Sequence, residues 1–140
     1  MPVRSYAIMH AAMFDAVNSI EGSHTPYLTD VPGSQNASIE AAAAQAARDV
    51  LVGLYPTRVA IFDAELAVSL QGIDEYRVQQ GIRVGEIVAE RILAVRATDG
   101  WNAPPPAVLP ATPGNWQPVP PANAAAAFTH YPAGAVFRTR

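Results

Sequence analysis

Gly100 marks a change of character that limits what this chain can fold into. Nine of its 13 prolines lie beyond it. The segment WNAPPPAVLPATPGNWQPVPPANAAAAF, which begins at Trp101, can neither continue a helix nor supply a central strand. It reads as an extended arm laid on a surface and anchored by Trp101, Trp116 and Phe128; a loose linker is the other reading. Before Gly100, apolar residues recur at spacings of three and four between clusters of turn formers, which is helical periodicity. The expected fold is all-α: an antiparallel helical bundle of about four helices over residues 1–100, then a Pro-rich irregular arm or linker over residues 101–140.

The first helix is expected near residues 3–20, with Tyr6, Met9 or His10, Met13, Val17 and Ile20 on one face, and Gly22 ends it. Residues 29–37, TDVPGSQNA, form a loop. Ser38 is a good N-cap for a helix over 38–55, with Glu40 in the first turn, where the helix dipole favours an acid. Ala43, Ala47, Val50 and Leu54 share a face of it, and it stops before Pro56. A third helix over 57–71 is expected to pack through Val59, Phe62, Leu66 and Leu70, and Gly72 ends it. Asp74 can cap the fourth, over 75–98. That helix carries one seam at Val78, Ile82, Gly85, Ala89 and Ile92 and a second apolar row at Val84, Val88 and Val95. A helix apolar on two sides sits between neighbours. Gly81 and Gly85 cost about 1 kcal/mol each in helix propensity, which implies close approach by another helix.

Composition removes several function classes. The net charge is −3, and all nine basic residues are arginine. Phosphate-backbone binding needs clustered cations, so nucleic acid is not an expected partner. There is no cysteine, hence no disulfide or thiolate chemistry. No apolar run reaches the roughly 18 residues of a membrane span. His10 and Asp15 interrupt what would otherwise be a signal-peptide core near the N-terminus.

Few residues invite a chemical reading. His10, His24 and His130 share no metal-ligand spacing. His10 is expected to be a partly buried structural histidine. Asp15 and Asn18, one turn apart, are expected to bond backbone or an arginine and fix helix register rather than act as catalysts. Glu86 and Glu90, with Gln79 and Arg83 beside them, read as a solvated face rather than a carboxylate pair. Asn36-Ala37-Ser38 fits a glycosylation sequon, but capping explains Ser38 better. There is no Gly-rich phosphate loop and no Gly-x-Ser-x-Gly. No catalytic, cofactor-binding or metal-ligating residue is assigned.

One motif carries a resemblance. Arg4, Ala7, His10, Ala11, Ala12, Asp15 and Ala16 fit R-x-x-A-x-x-H-A-A-x-x-D-A. Glu21-Gly22 and Thr25-Pro26-Tyr27 follow it, then the helix pair from Ser38 to Leu70 and the Ala94–Trp116 stretch that ends in Trp116, Pro118, Pro120 and Pro121. Together these resemble the N-terminal helical part of bacterial vanadium-dependent haloperoxidase-like proteins, which share a superfamily with type 2 phosphatidic acid phosphatases. The resemblance implies that a complete member holds vanadate or phosphate with a Lys, two Arg, a Ser-Gly-His segment and a further His. This chain has no Lys and no Ser-Gly-His, so no residue inherits a catalytic role and no cofactor is expected here; vanadate is expected only for a complete family member. The expected function is a non-catalytic helical scaffold, inactive alone, and a fragment, truncated gene or early frameshift is the expected origin. The expected partner is a missing catalytic bundle or a second copy, through apolar helix faces. The alternative is a stand-alone helical interaction or oligomerisation module.

Overall fold

The computed structural model describes residues 2–32, 35–101, 112–114 and 117–124. Four α-helices are present among them: α1 Pro2–Glu21, α2 Ile39–Leu54, α3 Val59–Ser69 and α4 Glu75–Ala97; a 3-10 turn, Pro56–Arg58, leads into α3. No strand occurs among the described residues. The all-α expectation holds, and the helix limits fall within two residues of those the sequence implies. The described residues divide into two units, one ending at Ala97 and the other beginning at Thr98. Trp116 and Phe128, expected to anchor the arm, lie outside the described residues.

The helix ends follow local chemistry. Ser38 Oγ accepts from the Ala41 amide at 3.1 Å and donates to Glu40 Oε2 at 2.8 Å, which closes the N-terminus of α2. Asp74 Oδ1 accepts from the Arg77 amide at 3.1 Å, which caps α4. Gly22 (φ 63°) and Gly72 (φ 77°) turn the chain after α1 and α3 in the left-handed region that glycine tolerates.

Helix α2 is the hub of the first unit, contacting α1, α3 and α4. Its junction with α4 is very close. A Cβ added at Gly81 would lie 2.6 Å from the Ser38 carbonyl oxygen, and one at Gly85 would lie 2.7 Å from that of Ala42. The helix-forming cost of both glycines thus has the packing cause that the sequence implied. The core comprises Ile8, Ala12 and Ala16 of α1, Ala37 just before α2, Ala42, Ala46 and Val50 of α2, and Val84, Val88, Ala89 and Ile92 of α4.

Several faces differ from the sequence reading. On α1, Met9 and Ile20 of the expected face pack against the core, but the rest of that face does not form it. Tyr6 is 58 % exposed, and Ile8, Ala12 and Ala16 are buried instead. On α2 the buried positions are Ala41, Ala42, Gln45, Ala46 and Val50; Ala43, Ala47 and Leu54 are half-buried. On α4 the two apolar rows merge into one broad face spanning roughly 140° at 100° per residue, and it packs against both α2 and α1. Ile82 is only half-buried and Val95 is 43 % exposed. On α1 and α4 small residues bring backbones together, and Tyr6 and Ile82 fall outside the contact; on α2 the buried face is rotated from the expected one, because a run of alanines gives periodicity no preferred side.

Candidate functional site

The loop between α1 and α2 gathers most of the buried polar chemistry. It is held first by α1. Asp15 is fully buried, and its carboxylate accepts three consecutive amides: Tyr27 at 2.6 Å, Leu28 at 2.9 Å and Thr29 at 2.9 Å. Successive N–H groups aimed at one point form an anion-binding concavity. Here the chain's own carboxylate fills it.

One turn on, Asn18 Nδ2 donates to the His24 carbonyl at 2.7 Å while its Oδ1 accepts the His24 amide at 2.8 Å. Ser19 Oγ accepts from the Val31 amide at 3.0 Å. Asp15 and Asn18 bond backbone, as expected, and the backbone is that of the following loop.

Helix α4 holds the same loop from its other side. Arg91 Nη1 donates to Thr29 Oγ1 and to the Asp30 carbonyl, and Arg96 Nη2 donates to the Tyr27 hydroxyl with its guanidinium carbon 5.8 Å from that ring's centroid. Arg4 of α1 donates to the Arg96 carbonyl at 3.0 Å, in the last turn of α4, where a cation offsets the helix dipole. Sequence reasoning did not find the Arg91, Arg96 and Tyr27 contacts. They are up to 69 residues apart in the chain, and no spacing rule links them.

Beside this loop lies an open cleft of about 190 Å³ with Val31, Val84 and Ile87 as apolar lining and Asn36, Tyr76, Gln80 and Arg83 as polar lining. Its polar lining amounts to one guanidinium, two amides and a phenol. A vanadate- or phosphate-sized oxyanion requires several fixed cations and convergent donors. The described residues do not bring such a set together, so they do not fit that group.

The other candidates disperse. His10 is exposed, contrary to the expectation of partial burial, because it points away from the Ile8–Ala12–Ala16 face. His24 is exposed, accepts or donates at 2.8 Å to Ser23 Oγ and meets Phe14 edge-on at 6.1 Å. His130 lies outside the described residues. Glu86, Glu90, Gln79 and Arg83 are all exposed, the solvated face that their spacing implied. Among the described residues no group of three His, Cys, Asp or Glu is placed to hold a metal ion, and no helix is long and apolar enough to cross a membrane. Glu40 has its carboxyl held below the ordinary range by its backbone hydrogen bond, the Ser38 hydroxyl and the charge of Arg77. No family model matches the chain, and no curated protein or solved structure matches it at a significant level.

Proposed function

We propose that this helical unit is the non-catalytic N-terminal scaffold of a haloperoxidase- and acid-phosphatase-like protein, carrying packing framework rather than an oxyanion site. The observation behind this reading is how the motif residues are used. Arg4 caps the end of α4, Ala12 and Ala16 make the α1 contact, and Asp15 ties down the following loop. Two of its three polar members, Arg4 and Asp15, are consumed in architecture, while His10 is exposed. Two experiments test the reading. Purified chain supplied with vanadate, peroxide and bromide is expected to show only background halide oxidation; vanadate-dependent turnover overturns the inactive assignment. The nucleotide sequence following codon 140 is expected to encode, in frame, the Lys, Arg and Ser-Gly-His blocks; a long downstream frame without them overturns the haloperoxidase-like assignment.

The alternative, a stand-alone interaction module, is favoured by α3. Phe62, Leu66 and Leu70 are half-buried on one side of it, while Ile61 and Val68 on the other are 52 % and 61 % exposed. A helix apolar on both sides has a use for a second neighbour.

A further inference from the structure

Within α1 the exposed residues among those described are Val3, Tyr6, His10, Phe14 and Glu21. Their spacings, three, four, four and seven, draw a single straight stripe down the helix. A helix face turned to water ordinarily carries charged residues. This one shows Val3 at 78 %, Tyr6 at 58 % and Phe14 at 41 % exposure, with half-buried Met13 and Val17 alongside, and its one formal charge is Glu21 at the far end. The outer side of α4 shows the usual pattern: Gln79, Arg83, Glu86, Glu90 and Arg91 are exposed there.

We propose that this stripe of α1 is the contact surface for a second copy of the chain, docked antiparallel about a two-fold axis passing near His10. The inference is independent of the haloperoxidase-like reading. An isologous contact places each residue opposite its symmetry mate, so the face must be complementary to itself. With the axis at His10, Val3 faces Val17 of the second copy and Tyr6 faces Phe14, while no carboxylate meets a carboxylate. Charge at the ends selects the direction. Helix α1 has no acid in its first turn and no base in its last. In the antiparallel arrangement the Glu21 end of each helix lies beside the positive N-terminal pole of the other. A parallel pairing sets Glu21 against Glu21.

A single helix about 30 Å long covers less than the roughly 800 Å² per partner of a standard interface, so the dimer is of the weak, concentration-dependent kind.

Sedimentation equilibrium of the 140-residue chain over a concentration series tests the proposal. The expected result is a monomer–dimer equilibrium. Tyr6→Lys and Phe14→Glu, each at an exposed position, are expected to lose the dimer while keeping wild-type helical circular dichroism. Mixing these two variants is expected to restore a heterodimer, because Lys at 6 of one copy then faces Glu at 14 of the other. Val68→Glu on α3 is expected to leave dimerisation unchanged. A wild-type monomer at every concentration overturns the proposal, whatever then covers the stripe. So does dissociation by Val68→Glu with Tyr6→Lys still dimeric. Failure of the mixed pair to recover overturns the antiparallel register.

Discussion

Helices α3 and α4 invert what their compositions suggest. Helix α3 reads VAIFDAELAVS and is apolar nearly throughout, yet none of its residues is buried. Helix α4 reads EYRVQQGIRVGEIVAERILAVRA and is rich in charge, yet it buries Val78, Gly81, Val84, Gly85, Val88, Ala89, Ile92 and Arg96. The difference is the shape of the contact. Gly81 and Gly85 let α4 sit against the α2 backbone, where Ala42 and Ala46 carry only a methyl group. Close approach buries the valines on either side. Helix α3 contacts α2 with Phe62 and Leu66 no more than half-buried, and a charged clasp joins the two: Asp63 Oδ1 accepts from Arg48 Nε at 2.8 Å and Nη2 at 2.5 Å. An exposed pair of that kind contributes about 1 kcal/mol or less.

The contrast breaks first at Gly85. Gly85→Val is expected to cost about 3 kcal/mol or more, since its Cβ would meet the Ala42 carbonyl and Ala46 amide, backbone atoms that cannot swing aside. Urea unfolding followed by circular dichroism checks it; an unchanged midpoint would mean that α2 and α4 do not touch as described. Next comes Ile92, fully buried between helices. Ile92→Ala is expected to cost about 2–4 kcal/mol. Ile82, expected in the core from its heptad spacing, is half-buried, and Ile82→Ala should cost less in the same assay.

Asp15→Asn tests the pinned loop. The neutral amide retains one acceptor oxygen for three amides, and the expected loss is about 1–3 kcal/mol, with faster hydrogen exchange at Tyr27, Leu28 and Thr29 as its specific signature. Val68→Glu on the open side of α3 is expected to change stability by no more than about 0.5 kcal/mol. A large destabilisation there would show that α3 is covered after all.

The smallest effect concerns Glu40. Its folded carboxyl titrates below the ordinary 4.5, so its contribution to stability is complete above that value and disappears as pH falls through the folded value. Wild type is therefore expected to be slightly more stable than Glu40→Gln near neutrality, and the two should converge in acid. A gap that widens on acidification reverses the sign of this argument.

Helix positions, caps and the glycine contacts were legible because each depends on neighbours in the chain. Ser38 is three residues from the amide it caps, and Gly81 and Gly85 lie one turn apart on one side of α4. The α1 face was misread for an equally local reason. Tyr6, Met13 and Val17 have helical periodicity and greater apolar area than Ile8, Ala12 and Ala16, and periodicity reports a stripe without saying whether it faces inward.

Local signals along the chain were enough to specify helices, their starts and stops, and backbone bonding by Asp15 and Asn18. Backbone hydrogen bonding within a helix is local, and so are the signals that start and stop it. Packing between helices settled which face of α1 is buried, which side of α3 is half-covered, that Arg91 and Arg96 hold the loop at Thr29 and Tyr27, and that Asn36, Tyr76, Gln80 and Arg83 line one cleft. These depend on how closely helix axes approach and at what rotation. That is set by the summed shapes of several helices at once, and no single segment encodes it.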